Sequence, residues 1–196
     1  MRDVQKEITR SRLMDAAIAC FVSNGYRSTS IADITNEAGA TRATFYLHYK
    51  SKVSIVTAIL DDLDRLYQDT FDELPAVVVN ATPEAVRRWL GVIVGVWEST
   101  RELSVVVAEA AAIEPEIADR RAERFDFQTE RIAQALMATG KWSPEQAQIR
   151  GMLTFSQLDN LFAQWSGRYS KLDLHEAIEV LVAMWVAALG SSDRPV

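Results

Sequence analysis

Apolar residues recur at helical spacing along almost the whole chain. Leu13, Ala16, Ala17, Cys20 and Phe21 fall at i, i+3, i+4, i+7 and i+8, a stripe that predicts an amphipathic helix stopped by Gly25. Ser30-Ile31-Ala32-Asp33 is a Ser-x-x-acid cap and predicts a short helix to about Glu37, with Ile31 and Ile34 inward. Ala38-Gly39-Ala40 reads as a tight turn, after which Thr41 caps a third short helix ended by Lys50-Ser51. Ser51 caps a fourth, whose apolar stripe of Val53, Val56, Ile59, Leu60, Leu63 and Tyr67 runs toward Leu74.

Beyond that point the stretch PAVVVNAT reads as irregular, its three valines too isolated to pair as a strand. Thr82-Pro83-Glu84 opens a helix with cap, N1 proline and first-turn acid in order. A separate helix is expected from Arg101 to about Ile113, broken at Glu114-Pro115, and a long one from Pro115 to Thr139, ended by Gly140. Ser143-Pro144-Glu145-Gln146 starts another, to about Ser166, and Asp173 with Glu176 boxes the last, which Gly190 closes. No alternating strand pattern and no repeat occurs. The expected fold is all-α, with about nine helices: a three-helix unit over 1–52 and a larger helical body over 53–196.

Charge changes this picture. The chain carries a net charge of −6, which by itself argues against nucleic acid. Residues 1–52, however, hold eight Lys/Arg against five Asp/Glu, and the remainder thirteen against twenty-two. A basic head (+3) on an acidic body (−9) suits a phosphate-facing surface, because electrostatic attraction is local at physiological salt. The single Cys20 rules out an intramolecular disulfide and a cysteine-built metal site, and the N-terminus lacks a secretory h-region, so a cytoplasmic protein is expected.

The most informative stretch is ATRATFYLHYKSK, residues 40–52. Phe45 and Tyr49, four apart, are expected to face inward with Ile31, Ile34 and Phe21, leaving Arg42, Ala43, Thr44, Tyr46, Leu47 and His48 outward. Short helices around a turn at Gly39 describe a helix-turn-helix, whose second helix can enter the major groove. Arg reads guanine edges, and Ala and Thr meet thymine methyls. Tyr46 and His48 can donate to phosphate, and Lys52 lies beside the start of the fourth helix.

Over residues 8–55 the chain resembles the DNA-binding domain of TetR-type transcriptional regulators, through DAA...F...GY, TSIADI, AGATRATFY, HY and SK. Thr35 stands where Ala usually follows the Ile, and Tyr49 replaces the usual Phe. The resemblance implies base contacts from Arg42, Ala43 and Thr44, and phosphate contacts from Ser30, Thr41, Tyr46, His48 and Lys52. It also implies a ligand cavity in the body and a dimer made by the last two long helices.

The body is consistent with both. VLVAMWVAAL, residues 180–189, is apolar all round and too short to span a membrane, so it needs cover on two sides; Ala183, Met184, Ala187 and Ala188 are the expected dimer contacts. Polar residues inside apolar runs mark an expected pocket of Trp97, Glu109, Phe155, Gln157, Asp159 and Phe162. No enzymatic motif, metal cluster or cofactor fingerprint occurs, and His175 lies in a capping run. The expected function is a homodimeric, ligand-responsive regulator, a repressor binding palindromic double-stranded DNA through residues 41–48. A small, largely apolar effector would release it, the fourth helix serving as the one rod between head and body. The alternative is an all-helical small-molecule or lipid carrier with an incidental basic head.

Overall fold

A computed structural model describes residues 2–165 and 173–190. Among them are nine helices and no strand: α1 Arg2–Asn24, α2 Ile31–Glu37, α3 Arg42–His48, α4 Lys52–Asp72, α5 Leu74–Asn80, α6 Pro83–Ala111, α7 Pro115–Ala138, α8 Pro144–Trp165 and α9 Leu174–Leu189. The all-α expectation holds, and Ser166, the expected end of α8, lies outside the described residues.

Two elements differ from the sequence reading. Residues 74–80 are helical, because Leu74, Val77 and Val78 bury one face and Pro75 sits in the first turn, where a missing N–H costs nothing. Burial outweighs the weak helix propensity of consecutive valines, and the left-handed Ala81 (φ 45°) stops the element. The two helices expected from Thr82 and Arg101 are instead one, α6, since Glu98-Ser99-Thr100 contains neither glycine nor proline to break it.

The chain divides into two compact units, one of Met1–Arg65 with Thr100–Arg121, the other of Leu66–Ser99 with Ala122–Val196. The basic head falls wholly within the first. The expected single rod does not hold: α4, α6 and α7 each run from one unit into the other.

The first unit closes over Leu13, Ala17, Phe21, Ile34 and Phe45, all essentially solvent-free. Tyr49 stacks at a tilt on Phe45, centroids 5.9 Å apart, and its hydroxyl donates to the Arg10 carbonyl, tying the end of α3 to α1. Arg120 on α7 reaches Asp61 (2.5 Å) and Asp64 (3.5 Å) on α4.

An aromatic chain fills the second unit. Trp89 stacks on Trp185 (5.4 Å) and donates from Nε1 to the Thr70 carbonyl (2.7 Å). Phe71 meets both Trp89 and Phe155, and Phe155 meets Phe125. α7 and α8 cross at Gly151, where a Cβ would stand 2.6 Å from the Thr129 carbonyl oxygen. Backbone cannot yield as a side-chain tip does, so Gly151→Ala forces the helices apart and costs about 1–3 kcal/mol, read from the urea midpoint. An unchanged midpoint would show that the crossing is loose.

Candidate nucleic-acid interface

Two caps build the interface. Ser30 accepts from the Asp33 N–H and its own N–H donates to Asp33 Oδ2, a reciprocal box that starts α2 and holds the Asp33 carboxyl below its ordinary range. Gly39, at φ +57°, supplies the left-handed residue of the turn. Thr41 then accepts from the Thr44 N–H (3.1 Å) to start α3.

Because Phe45 and Tyr49 are buried, the helix period turns Arg42, Ala43, Tyr46 and Leu47 outward, Tyr46 at 57% and Leu47 at 77% exposure. Tyr46 is held edge-on against Phe45 at 5.6 Å, so its phenol projects from a fixed base. Thr44 and His48 are half-buried, and His48 Nδ1 is buried with no partner. The hydroxyls of Ser30 and Thr41 are engaged in capping.

Lys52 differs from its expected part as a phosphate anchor. Its ammonium donates to the carbonyls of Tyr26 (2.7 Å) and Thr29 (3.0 Å) and lies 4.1 Å above the centre of the Tyr26 ring. Burial pushes its pKa below the ordinary value. It therefore pins the turn between α1 and α2.

The expected pocket residues separate. Trp97 and Phe162 stack face to face at 4.9 Å, and Phe155 sits between Phe71 and Phe125, all in the second unit. Gln157 is half-buried there with Oε1 unpartnered. Asp159 is exposed. Glu109 belongs to the first unit, where its carboxylate accepts the Tyr26 N–H at 2.8 Å. The sequence reading missed Gln128 and Thr154, six and zero per cent exposed, with Gln128 Oε1 and Thr154 Oγ1 unpartnered. Both interrupt apolar runs no more visibly than many surface residues do.

On α9, Ile178, Leu181, Val182, Trp185 and Leu189 are buried, whereas Val180, Ala183, Met184 and Ala187 are exposed and Ala188 is half-buried. The reading also missed exposed Ile149, Met152 and Leu153 on α8, although their i, i+3, i+4 spacing is legible. Among the described residues, no helix is long and apolar enough to cross a membrane, and no group of three or more His, Cys, Asp or Glu could hold a metal ion.

Residues 13–59 match the family model for bacterial regulatory proteins of the tetR family. The chain is 38% identical over 66 residues to the HTH-type transcriptional regulator TtgR of Pseudomonas putida, a match covering 34% of this chain and only 30% of that one. To the HTH-type transcriptional repressor KstR of Mycobacterium tuberculosis it is 25% identical over 189 residues, covering 94% and 83%. A TetR-family regulator structure from Syntrophomonas wolfei superposes with a TM-score of 0.75 at 17% identity, over 96% and 99% of the two chains.

Proposed function

We propose that this chain, a tetR-family regulator by its N-terminal domain, represses transcription as a homodimer, reading a palindromic operator with α3 and releasing it when an effector occupies the body. The observation that carries the DNA reading is the exposed set Arg42, Ala43, Tyr46 and Leu47, mounted on a helix whose other face is locked by Phe45 and Tyr49. Residues 1–52 act as the reading head and 53–196 as the sensing and dimerising body.

The exposed apolar rows of α8 and α9 support a dimer. α9 carries Val180, Ala183, Met184 and Ala187 at i, i+3, i+4 and i+7, and Arg150 on α8 donates to the Ala188 carbonyl, which keeps the two helices together. A two-fold contact between such helices meets the same rows on its partner.

For the effector, three buried polar atoms without partners support an uncharged, aromatic or otherwise apolar molecule bearing one donor and one acceptor. Gln128 Oε1 needs a donor, Trp185 Nε1 an acceptor, and Thr154 Oγ1 takes either. All three belong to the second unit, which the Phe125–Phe155 and Phe71–Trp89–Trp185 ring contacts help to fill. Buried polar atoms are almost always paired, and leaving one unpaired costs about 1–3 kcal/mol. Thr154→Val therefore leaves the ligand-free protein unchanged or up to about 1 kcal/mol more stable by calorimetry. Clear destabilisation would mean that the hydroxyl has a partner, and would remove it from the effector's contacts.

The test of the whole reading is selection of a duplex from a random pool by the full chain, then anisotropy titration of that duplex at rising salt. A regulator gives a selected site bound at least a thousandfold above random duplex, with affinity falling steeply as salt rises. A carrier selects nothing.

A further inference from the structure

Residues 25–29, between α1 and the cap of α2, are gripped from outside the helix-turn-helix. The Tyr26 N–H donates to Glu109 Oε2 on the last turn of α6 (2.8 Å), and the Tyr26 hydroxyl donates to Glu114 Oε1 in the α6–α7 turn (2.8 Å). Tyr26 itself is 1% exposed, packed on Phe21 at 5.4 Å. From the other side Lys52 holds the carbonyls of Tyr26 and Thr29. Gly25 is shaped for the grip: it sits at φ +79°, and a Cβ there would stand 3.2 Å from Glu109 Oε2. Burial first, then the hydrogen bond to Glu114, raises the Tyr26 phenol above its ordinary pKa. Residue 30, the cap of α2, follows this turn directly.

We propose that Glu109 and Glu114 are positioning residues for DNA reading. They clamp the Tyr26 turn and thereby set the orientation of α2 and α3. This rests on the DNA-reading function proposed above. Every contact in the clamp lies within one compact unit, and α6 continues from it back to Pro83, past Trp97. Glu109 bonds the Tyr26 turn and is not itself one of the expected DNA-facing residues, so its effect on binding is indirect.

The sign of the effect separates this proposal from simple charge repulsion. Removing a carboxylate from a phosphate-binding protein should strengthen DNA binding if the charge alone matters. The clamp requires the opposite. Glu109 is exposed, so Glu109→Ala leaves the core intact. With the duplex selected by the wild-type chain, Glu109→Ala should weaken binding about tenfold while the slope of affinity against salt stays unchanged, because no phosphate contact is lost. Hydrogen exchange of the free protein should speed at least tenfold at the Tyr26 amide and through residues 30–37, with α8 and α9 unaffected. Glu109→Gln, whose amide oxygen still accepts the N–H, should restore both. Tighter binding by Glu109→Ala, or affinity within twofold of wild type, overturns the proposal even if exchange speeds up, because the clamp would then be structural only. A wild-type chain that selects no duplex overturns the DNA-reading function first, and the positioning role with it. Glu114→Gln provides the second variant: its amide accepts the Tyr26 hydroxyl, and a loss as large as that of Glu109→Ala would contradict the hydrogen-bond account.

Discussion

Replacing Arg42 with alanine weakens binding to the selected duplex by roughly 1–3 kcal/mol, about 5- to 150-fold, and relaxes the preference at one base pair in each half-site. The loss belongs to recognition because the helix does not need this side chain. Arg42 is exposed and follows the Thr41 cap directly, while the core face of α3 is held by Phe45 and Tyr49. A cation in the first turn opposes the helix dipole, so alanine is neutral or slightly favourable to α3 itself. Calorimetry of Arg42→Ala should show wild-type stability, and affinity for random duplex should fall only by the loss of one cation's phosphate attraction. Equal weakening on selected and random duplex would make Arg42 an anchor rather than a reader.

A larger effect is expected from Ala187→Arg. Ala187 lies on the exposed row of α9, opposite the buried Trp185, so a long cation there leaves the protomer's own packing intact. Between two such rows it places like charges in an apolar contact with no counter-ion, a cost of several kcal/mol. The variant should sediment as a monomer with wild-type helicity. Operator affinity should fall by about 10²- to 10⁴-fold, since a single head loses the effective concentration supplied by its partner. The two heads of a dimer must lie about one duplex turn apart, roughly 34–36 Å, to engage a palindrome together. A variant that stays dimeric would move the interface off α9. A monomer that binds as tightly as wild type would show that each half-site is read alone.

How far the sequence could be read depended on whether a feature was local. The caps at Ser30 and Thr41 and the inward pair Phe45 and Tyr49 are decided within a few residues, by backbone hydrogen bonding and by the helix period. The outward face of α3 follows from the same period, so it was legible before any tertiary contact was known. Residues 74–80 were not, because three valines favour helix only when a buried surface awaits them. Nor was the continuity of α6, where the pattern gave a second start at Arg101 without a break before it.

By itself the sequence determined an all-helical chain, a basic helix-turn-helix head with the outward face of its third helix, and a final helix that is apolar all round. Only the tertiary structure decided what the long-reach charged groups do. Lys52, which the sequence places at the DNA face, turns back to the carbonyls of Tyr26 and Thr29, and Glu109, which looks like a polar group in a pocket wall, reaches a residue 83 positions earlier to hold its N–H. The physical reason is range. A cap or an apolar stripe is satisfied by neighbours three or four residues away, whereas a long charged side chain is satisfied by whichever backbone the fold brings within 3 Å, and no local pattern encodes that choice.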